Sequence, residues 1–247
     1  MRLAAFRKLW IASALEGIGD EASRVVIPII AVSMLGAGAL EVGVINALGM
    51  SAFLVLGLPV GVWVDRLPRR RLMVTADAVR ALAVLSIPLA FMAGAMTIGH
   101  LLVCVALISV ADVVFTTAHG AFVPSAVGRE QISDAHARLQ TAASMVAVGS
   151  PSLTGALLSA VAAPFALATA GISYTVSALT LRSINVSEDF KPARERERFW
   201  PAARAGLSFT IHHRALRGLF LSGMILNAAT MFGSAATAVY ALTVLGL

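Results

Sequence analysis

Residues 61–71 read Gly-Val-Trp-Val-Asp-Arg-Leu-Pro-Arg-Arg-Arg and form the junction between two long apolar stretches, residues 42–63 and 72–95. Each stretch has about the 20 residues that a helix needs to cross the hydrocarbon core of a bilayer. Arginines concentrated in a short connection between such stretches are typical of a loop at the membrane surface. This part of the chain therefore predicts two membrane-spanning helices joined by a basic connection.

The composition of the whole chain supports the same interpretation. Of its 247 residues, 58% are hydrophobic and 13% are charged, whereas a soluble domain has roughly 25% charged residues. These values exclude disordered, collagenous and disulfide-scaffold classes. The single cysteine, Cys104, has no partner for a disulfide. The net charge of +6 would suggest nucleic acid binding in a soluble protein, but its distribution indicates a lipid bilayer as the partner and no nucleic acid.

Seven segments of the chain are apolar enough and long enough to be membrane helices. We place them at residues 9–35, 42–63, 72–95, 99–123, 139–161, 164–182 and 217–245. They lack the alternation of polar and apolar residues that a membrane β-strand would show. The predicted fold is an all-α integral membrane protein with about seven transmembrane helices.

The distribution of basic residues predicts the orientation of these helices. Of the 19 Lys and Arg residues, 17 lie in the N-terminal tail or in the second, fourth and sixth connections. The odd-numbered connections contain none. Because loops rich in Lys and Arg stay on the cytoplasmic side, we expect the N-terminus to be cytoplasmic.

The junction at residues 61–71 resembles the signature loop of the major facilitator superfamily. In that signature a glycine is followed by an aspartate, a basic residue and then a basic cluster, and here Pro68 stands where the family more often has glycine. The resemblance implies a cytoplasmic gating motif that comprises Gly61, Asp65, Arg66, Arg69, Arg70, Arg71, Asp77 and Arg80. A carboxylate among arginines and helix ends can stabilise one conformation and release it in another. The alternative is a topology anchor of arginines that extend to the membrane surface.

Other stretches are similar to the macrolide-efflux and siderophore-exporter branch of the superfamily. These are residues 6–10 followed by Gly19 and Asp20, residues 77–82 and residues 135–139. Gly149, Pro151 and Gly155 resemble the Gly-Pro element of helix 5 in drug:proton antiporters, although Ser150 and Thr154 replace two of its glycines.

This resemblance implies a twelve-helix fold in two halves with the substrate site between them. Residues 1–182 would form the N-terminal six-helix half and residues 183–216 a cytoplasmic linker. Residues 217–247 would contribute the first helix of an incomplete C-terminal half. Because the last residues, 244–247, are still apolar, we expect a truncated chain. A natural seven-helix protein is the alternative.

Polar residues at helical spacing mark three of the predicted spans. Span 1 has Glu16, Asp20 and Arg24 at intervals of four, and span 4 has Ser109, Asp112, Thr116 and His119 at intervals of three and four. Span 7 carries a similar stripe that begins at Asn227. A charge at mid-bilayer costs at least about 2.5 kcal/mol, so such residues usually face a cavity or a partner. The predicted substrate and proton pathway comprises Asp20, Arg24, Asp112, Thr116 and Asn227.

Asp112 is the first candidate for a group that couples protonation to transport, because a carboxylate that moves between an apolar and a charged environment changes its proton affinity. The alternative is a static ion pair, Asp112 with Arg24 or Asp20 with Arg24, that holds helices together. His119 could relay protons or could be a satisfied interfacial histidine.

The sequence favours a secondary active transporter over other membrane classes. We expect proton-driven efflux of small lipophilic molecules of drug, macrolide or siderophore type, by alternating access, in a bacterial inner membrane. The direction of transport and its energy source follow from the resemblance alone. The alternative is a non-transporting truncated fragment or a membrane interaction partner.

We expect no cofactor and no metal, because no spacing of His, Cys and carboxylate residues predicts a ligand set. We also expect no enzyme activity. Ser109 and His119 lie ten residues apart on one helix, which is about 15 Å and too far for a catalytic dyad.

Overall fold

The computed structural model describes residues 2–128 and 131–186, and separate residues between 208 and 229. The chain divides into two compact units, Met1–Arg196 and Glu197–Leu247. Six long helices make up the described part of the first unit: α1 Arg2–Leu35, α2 Ala39–Val64, α3 Arg69–Met92, α4 Ile98–Val127, α5 Ile132–Ala160 and α6 Ala163–Arg182. In the second unit the described residues are helical except at His213.

The boundaries of the helices follow from local sequence. α1 ends before Gly36 and α3 before Gly94, and both glycines have positive φ angles, 66° and 65°. A residue without a Cβ adopts this conformation at low cost, which is why glycine so often follows a helix. α4 begins after Thr97, whose side chain accepts a hydrogen bond from the backbone N–H of His100.

Five of the helices are long and apolar enough to cross a membrane. The qualifying segments are Ala39–Gly57, Arg69–Met92, Ile98–Val127, Ile132–Ala160 and Ala163–Arg182. α1 is the longest helix of the described chain, but Glu16, Asp20, Glu21 and Arg24 interrupt its apolar sequence. The all-helical membrane fold is thus confirmed, whereas the number of seven spans and the cytoplasmic N-terminus remain predictions. Predicted span 217–245 lies largely outside the described residues.

The outer surface of the bundle is strongly apolar. Large side chains such as Leu40 and Val148 are each 79% exposed. A soluble monomer rarely exposes a continuous apolar surface, but such a surface is what a lipid bilayer solvates. The exposed residues therefore support the membrane assignment independently of helix length.

Inside the bundle, α1 packs against α4, α5 and α6, while α3 packs against α4 and α6, and α2 against α4. The buried apolar residues form two cores. One core contains Leu9, Met73 and Phe122, at the end of the bundle where the α2–α3 connection lies. We call this end the basic end, since Arg66, Arg69, Arg70 and Arg71 lie there.

The second core contains Ile30, Ile87 and Leu167, near the opposite end. Between the two cores lies a layer of charged residues at the middle of the helices. The apolar cores thus enclose the charged layer from both ends of the bundle.

Close helix contact occurs at Gly19 and Gly171 rather than at the glycines of the gating motif and the Gly-Pro element. A Cβ at Gly171 of α6 would lie 2.5 Å from Leu85 Cγ of α3, and one at Gly19 would lie 2.8 Å from a ring carbon of Tyr174. At Gly61, Gly149 and Gly155, no atom of the described residues lies within 4 Å of the corresponding position. Pro151, between the latter two glycines, lies inside the continuous helix α5.

We therefore expect Gly171→Ala to destabilise the bundle by about 1–3 kcal/mol, because the added methyl group forces α3 and α6 apart. Gly120→Ala is the matched control, since no described atom lies within 4 Å of its Cβ position. Cys104 is 2% exposed, so a maleimide dye that reacts with it on heating reports unfolding. Equal melting temperatures for the two variants would contradict the contact at Gly171.

Candidate functional site

Arg80 is the centre of the charged layer. It lies eleven residues beyond Arg69, the first residue of α3, or about 16 Å along the helix axis. Its side chain is completely buried. A buried charge is tolerated only with partners that replace its hydration, and the surrounding helices provide them.

Carboxylates from three helices contact the Arg80 guanidinium. Nη1 donates hydrogen bonds to Glu16 Oε1 at 2.8 Å and to Asp20 Oδ1 at 2.9 Å, both on α1. Nη2 lies 3.1 Å from Asp77 Oδ1 on α3 itself, and Nη1 lies 3.9 Å from Asp112 Oδ1 on α4. One guanidinium thus ties α1 and α4 to α3. We call these five residues the Arg80 cluster.

Aromatic rings complete the surroundings of Arg80. The guanidinium carbon lies 4.6 Å from the ring centroid of Phe115 on α4 and 4.9 Å from that of Tyr174 on α6. Both distances allow cation–π attraction. The Tyr174 hydroxyl donates a 2.6 Å hydrogen bond to Asp20 Oδ1. The fourth helix, α6, is therefore connected to the same cluster.

The carboxylates of the cluster lie close together. One oxygen each of Glu16, Asp20 and Asp112 lie within 4.8 Å of one another, close enough to coordinate a shared cation. In the structure the cation bound to Glu16 and Asp20 is the Arg80 guanidinium. With Asp77, four carboxylates surround one guanidinium.

A cavity of about 430 Å³ adjoins the Arg80 cluster between α1, α4 and α5. Glu16, Asp20, Phe115 and Thr116 line it on the side of the cluster. His119 lines another part of the wall, and its Nε2 lies 2.8 Å from Ser13 Oγ. The cavity therefore gives a molecule in the bundle direct access to the acidic side of the cluster.

The polar atoms of Ser13 and His119 form a small hydrogen-bonded group in the cavity wall. Ser13 Oγ also donates to the carbonyl oxygen of Leu9 at 2.9 Å. The His119 ring stacks on Phe115, with centroids 5.9 Å apart.

The structure brings together some of the sequence-predicted site residues and separates others. Asp20 and Asp112 lie in the Arg80 cluster, and Thr116 donates to Asp112 Oδ1 at 3.3 Å. Arg24 lines the cavity, but its ion pair is with Glu21 at 3.9 Å and its side chain is 73% exposed. The buried cation beside Asp20 and Asp112 is thus Arg80 rather than Arg24. Asn227 lies outside the described residues.

The predicted gating motif divides into two groups of residues. Asp65, Arg66 and the arginines that follow lie at the basic end, whereas Asp77 and Arg80 lie buried in the middle of α3. At the basic end, Arg69 Nη1 donates to the carbonyl oxygen of Ala121 on α4 at 3.1 Å. Arg70 Nη1 donates to the carbonyl oxygens of Arg182 and Ile184, at the end of α6. Arg70 thus binds carbonyl groups at the end of α6, where positive charge is favourable. Arg69 instead binds a carbonyl group six residues before Val127, the last residue of α4.

Sequence reasoning missed Tyr174 and the central position of Arg80. The sequence contains one feature that marks each of these two residues. Arg80 is the single basic residue within the predicted span at 72–95, and Tyr174 is one of only two tyrosines in the chain.

A multi-helix membrane bundle with a buried ionic cluster beside an internal cavity has the architecture of a membrane transporter. The comparison with known families agrees: the family model described as transmembrane secretion effector, a family of the major facilitator superfamily, matches residues 1–245. The chain belongs to this family. No curated protein matches the chain. Membership makes it a multi-pass membrane protein with a small-molecule substrate, and the expected superfamily is confirmed.

Proposed function

We propose that this protein exports small lipophilic molecules, of drug, macrolide or siderophore type, by alternating access driven by a proton gradient. The observation that carries the proposal is the Arg80 cluster, in which four carboxylates compete for one buried guanidinium beside a cavity. A protein that needed only to hold its helices together would be served by a single ion pair, or by none.

The proposed coupling starts from the excess of carboxylates over cations. Carboxylates held within a few ångströms repel one another when all are ionised, and a proton shared among them relieves the repulsion. Asp112 is the most weakly held member, since its oxygen lies 3.9 Å from Arg80 Nη1 whereas those of Glu16 and Asp20 lie within 2.9 Å. Protonation of Asp112 would remove the ionic attraction of α4 to Arg80 and leave only the Phe115 ring at the guanidinium, whereas α1 would stay attached.

The cavity is the proposed route of the substrate. Asp20, Arg24 and Thr116 line it together with Phe115, so a lipophilic molecule would contact an aromatic ring and polar groups at the same time. A substrate in the cavity would also change the environment of the cluster. This is how substrate binding and proton binding would influence each other.

The basic end is the proposed cytoplasmic gate. Arg69 connects α3 to Ala121 of α4, and Arg70 connects α3 to the end of α6; α4 also carries Asp112. A movement of α4 that follows protonation would therefore strain the contact of Arg69 with Ala121. Release of that contact would open the cytoplasmic side.

Transport by the purified full chain in proteoliposomes tests the proposal. With an imposed pH gradient, we expect accumulation of at least one of three probes: a fluorescent lipophilic dye, a macrolide or a siderophore. A protonophore should abolish the accumulation. Uptake that is insensitive to the pH gradient for every probe would overturn the proposed proton coupling.

Asp65→Asn is expected to slow transport severalfold without a change in the order of preference among the probes. Asp65 lies at the end of α2, where its backbone N–H donates to Gly61 O at 3.2 Å, and it is not among the residues that line the cavity. Initial rates at several probe concentrations give the result. Asp134→Asn, an exposed aspartate in the first turn of α5, is the control. A changed preference would place Asp65 in the binding site.

A further inference from the structure

A second cavity lies between the start of α1 and residues 138–145 of α5, and Ala142 lines both this cavity and the first one. It has a volume of about 760 Å³, and its walls include Phe6, Arg7 and Trp10 of α1 and Arg138 and Met145 of α5. We call it the α1–α5 cleft. Neither the proposed transport pathway nor the proposed gate uses it.

The cleft has a charged mouth and an apolar floor. Arg7 lies five residues after the start of α1, and Arg138 six residues after the start of α5, so both guanidinium groups are near the basic end. Met145 lies seven residues beyond Arg138, or about 10 Å deeper along the helix, and is 69% exposed. The polarity of the cleft therefore changes from cationic to apolar along the bundle axis.

Trp10 fixes the geometry of the mouth. Its indole N–H donates a 3.2 Å hydrogen bond to the carbonyl oxygen of Arg138, which holds the start of α1 against the start of α5. Tryptophan is enriched at this depth, where headgroups meet acyl chains. In the part of the chain that the structure describes, the ion pairs leave Arg7 and Arg138 without a carboxylate partner.

We propose that the α1–α5 cleft binds one acidic phospholipid. Arg7 and Arg138 would bind the phosphate, for which arginine provides paired N–H donors, and Met145 would contact the first carbons of an acyl chain. The charge of the mouth selects an anionic headgroup, and the apolar floor selects a lipid over a free phosphate ion. A basic pocket between membrane helices is a site of the kind that acidic lipid headgroups occupy.

Quenching of Trp10 fluorescence by brominated lipids tests the proposal. Trp63→Phe and Trp200→Phe leave Trp10 as the single tryptophan of the full chain. This protein is titrated in detergent micelles with phosphatidylglycerol or phosphatidylcholine that carries bromine on the acyl chains. We expect half-maximal quenching at a lower mole fraction of phosphatidylglycerol than of phosphatidylcholine. The ratio of the two mole fractions should be about fivefold for each arginine that contacts the phosphate.

Variants distinguish lipid binding in the cleft from a general attraction of anionic lipids to the basic end. Arg7→Gln with Arg138→Gln should remove the preference for phosphatidylglycerol, whereas Arg71→Gln, which neutralises an exposed arginine at the same end of the bundle, should preserve it. Equal quenching by the two lipids in the parent protein would overturn the proposal. So would a preference that survives the double substitution, or one that Arg71→Gln removes equally.

A competition experiment shows whether the cleft binds a whole phospholipid or only its soluble headgroup. Glycerol phosphate, added in equimolar amount to bound brominated phosphatidylglycerol, should leave the quenching unchanged. Displacement would show that the cleft binds a soluble phosphate and would overturn the assignment to a lipid.

Discussion

Asp112→Asn is expected to reduce transport driven by a pH gradient to the level of empty vesicles, with normal expression and membrane insertion. Asparagine has nearly the same size as aspartate but neither ionises nor carries an exchangeable acidic proton. The Thr116 hydroxyl can still donate to the amide oxygen at this position. The packing of α4 should therefore persist while the proposed coupling group is lost.

The expected loss is specific to proton coupling. Arg80 keeps its hydrogen bonds to Glu16 and Asp20 in this variant, so the bundle should retain its stability. Binding of the fluorescent probe, measured without a gradient, should change little. Asp134→Asn removes a carboxylate from an exposed position on α5 and should transport like the parent protein. Gradient-driven transport at the parental rate by Asp112→Asn would eliminate Asp112 as the coupling group.

Arg80→Gln is expected to destabilise the protein more than any other single substitution in the cluster. It leaves four carboxylates in the middle of the bundle without a guanidinium. Removal of one partner of a buried ion pair costs about 3–5 kcal/mol because the remaining charge is buried and uncompensated. Reaction of Cys104 with a maleimide dye during heating measures the loss, and we also expect no gradient-driven transport.

A compensating substitution keeps this prediction testable if the single variant does not accumulate. Glu16→Gln in the Arg80→Gln background removes one of the uncompensated carboxylates and should recover part of the melting temperature. Arg71→Gln removes an exposed arginine from the start of the same helix, so its melting temperature should equal that of the parent. A melting temperature of Arg80→Gln within error of the Arg71→Gln value would show that Arg80 is not the central counter-charge.

The largest difference between the sequence interpretation and the structure concerns the partner of Asp112. The spacing of Glu16, Asp20 and Arg24 at intervals of four predicts that these residues share one face of α1. It also places Arg24 one turn beyond Asp20, so the sequence predicts Arg24 as the cation that pairs with Asp20 or Asp112. In the structure Arg24 lies next to Glu21 and its side chain is 73% exposed, and Arg80 from α3 enters the space between α1 and α4.

The sequence by itself determined the class of the protein. Apolar segments of membrane length, an excess of basic residues in alternate connections and the pattern at residues 61–71 each depend on neighbours along the chain, so they are readable without coordinates. The polar stripes of spans 1 and 4 are also readable from the sequence alone, because helical periodicity is a local property.

Only the tertiary structure decided which residues meet across helices. Helical periodicity shows which side chains of one helix share a face, but contact with another helix depends on the relative depth and rotation of both. This is why Arg80 and Tyr174, from α3 and α6, joined the carboxylates of α1 and α4 without a signal in the spacing. The same reason explains why close packing occurs at Gly19 and Gly171 rather than at the glycines of the gating motif and the Gly-Pro element.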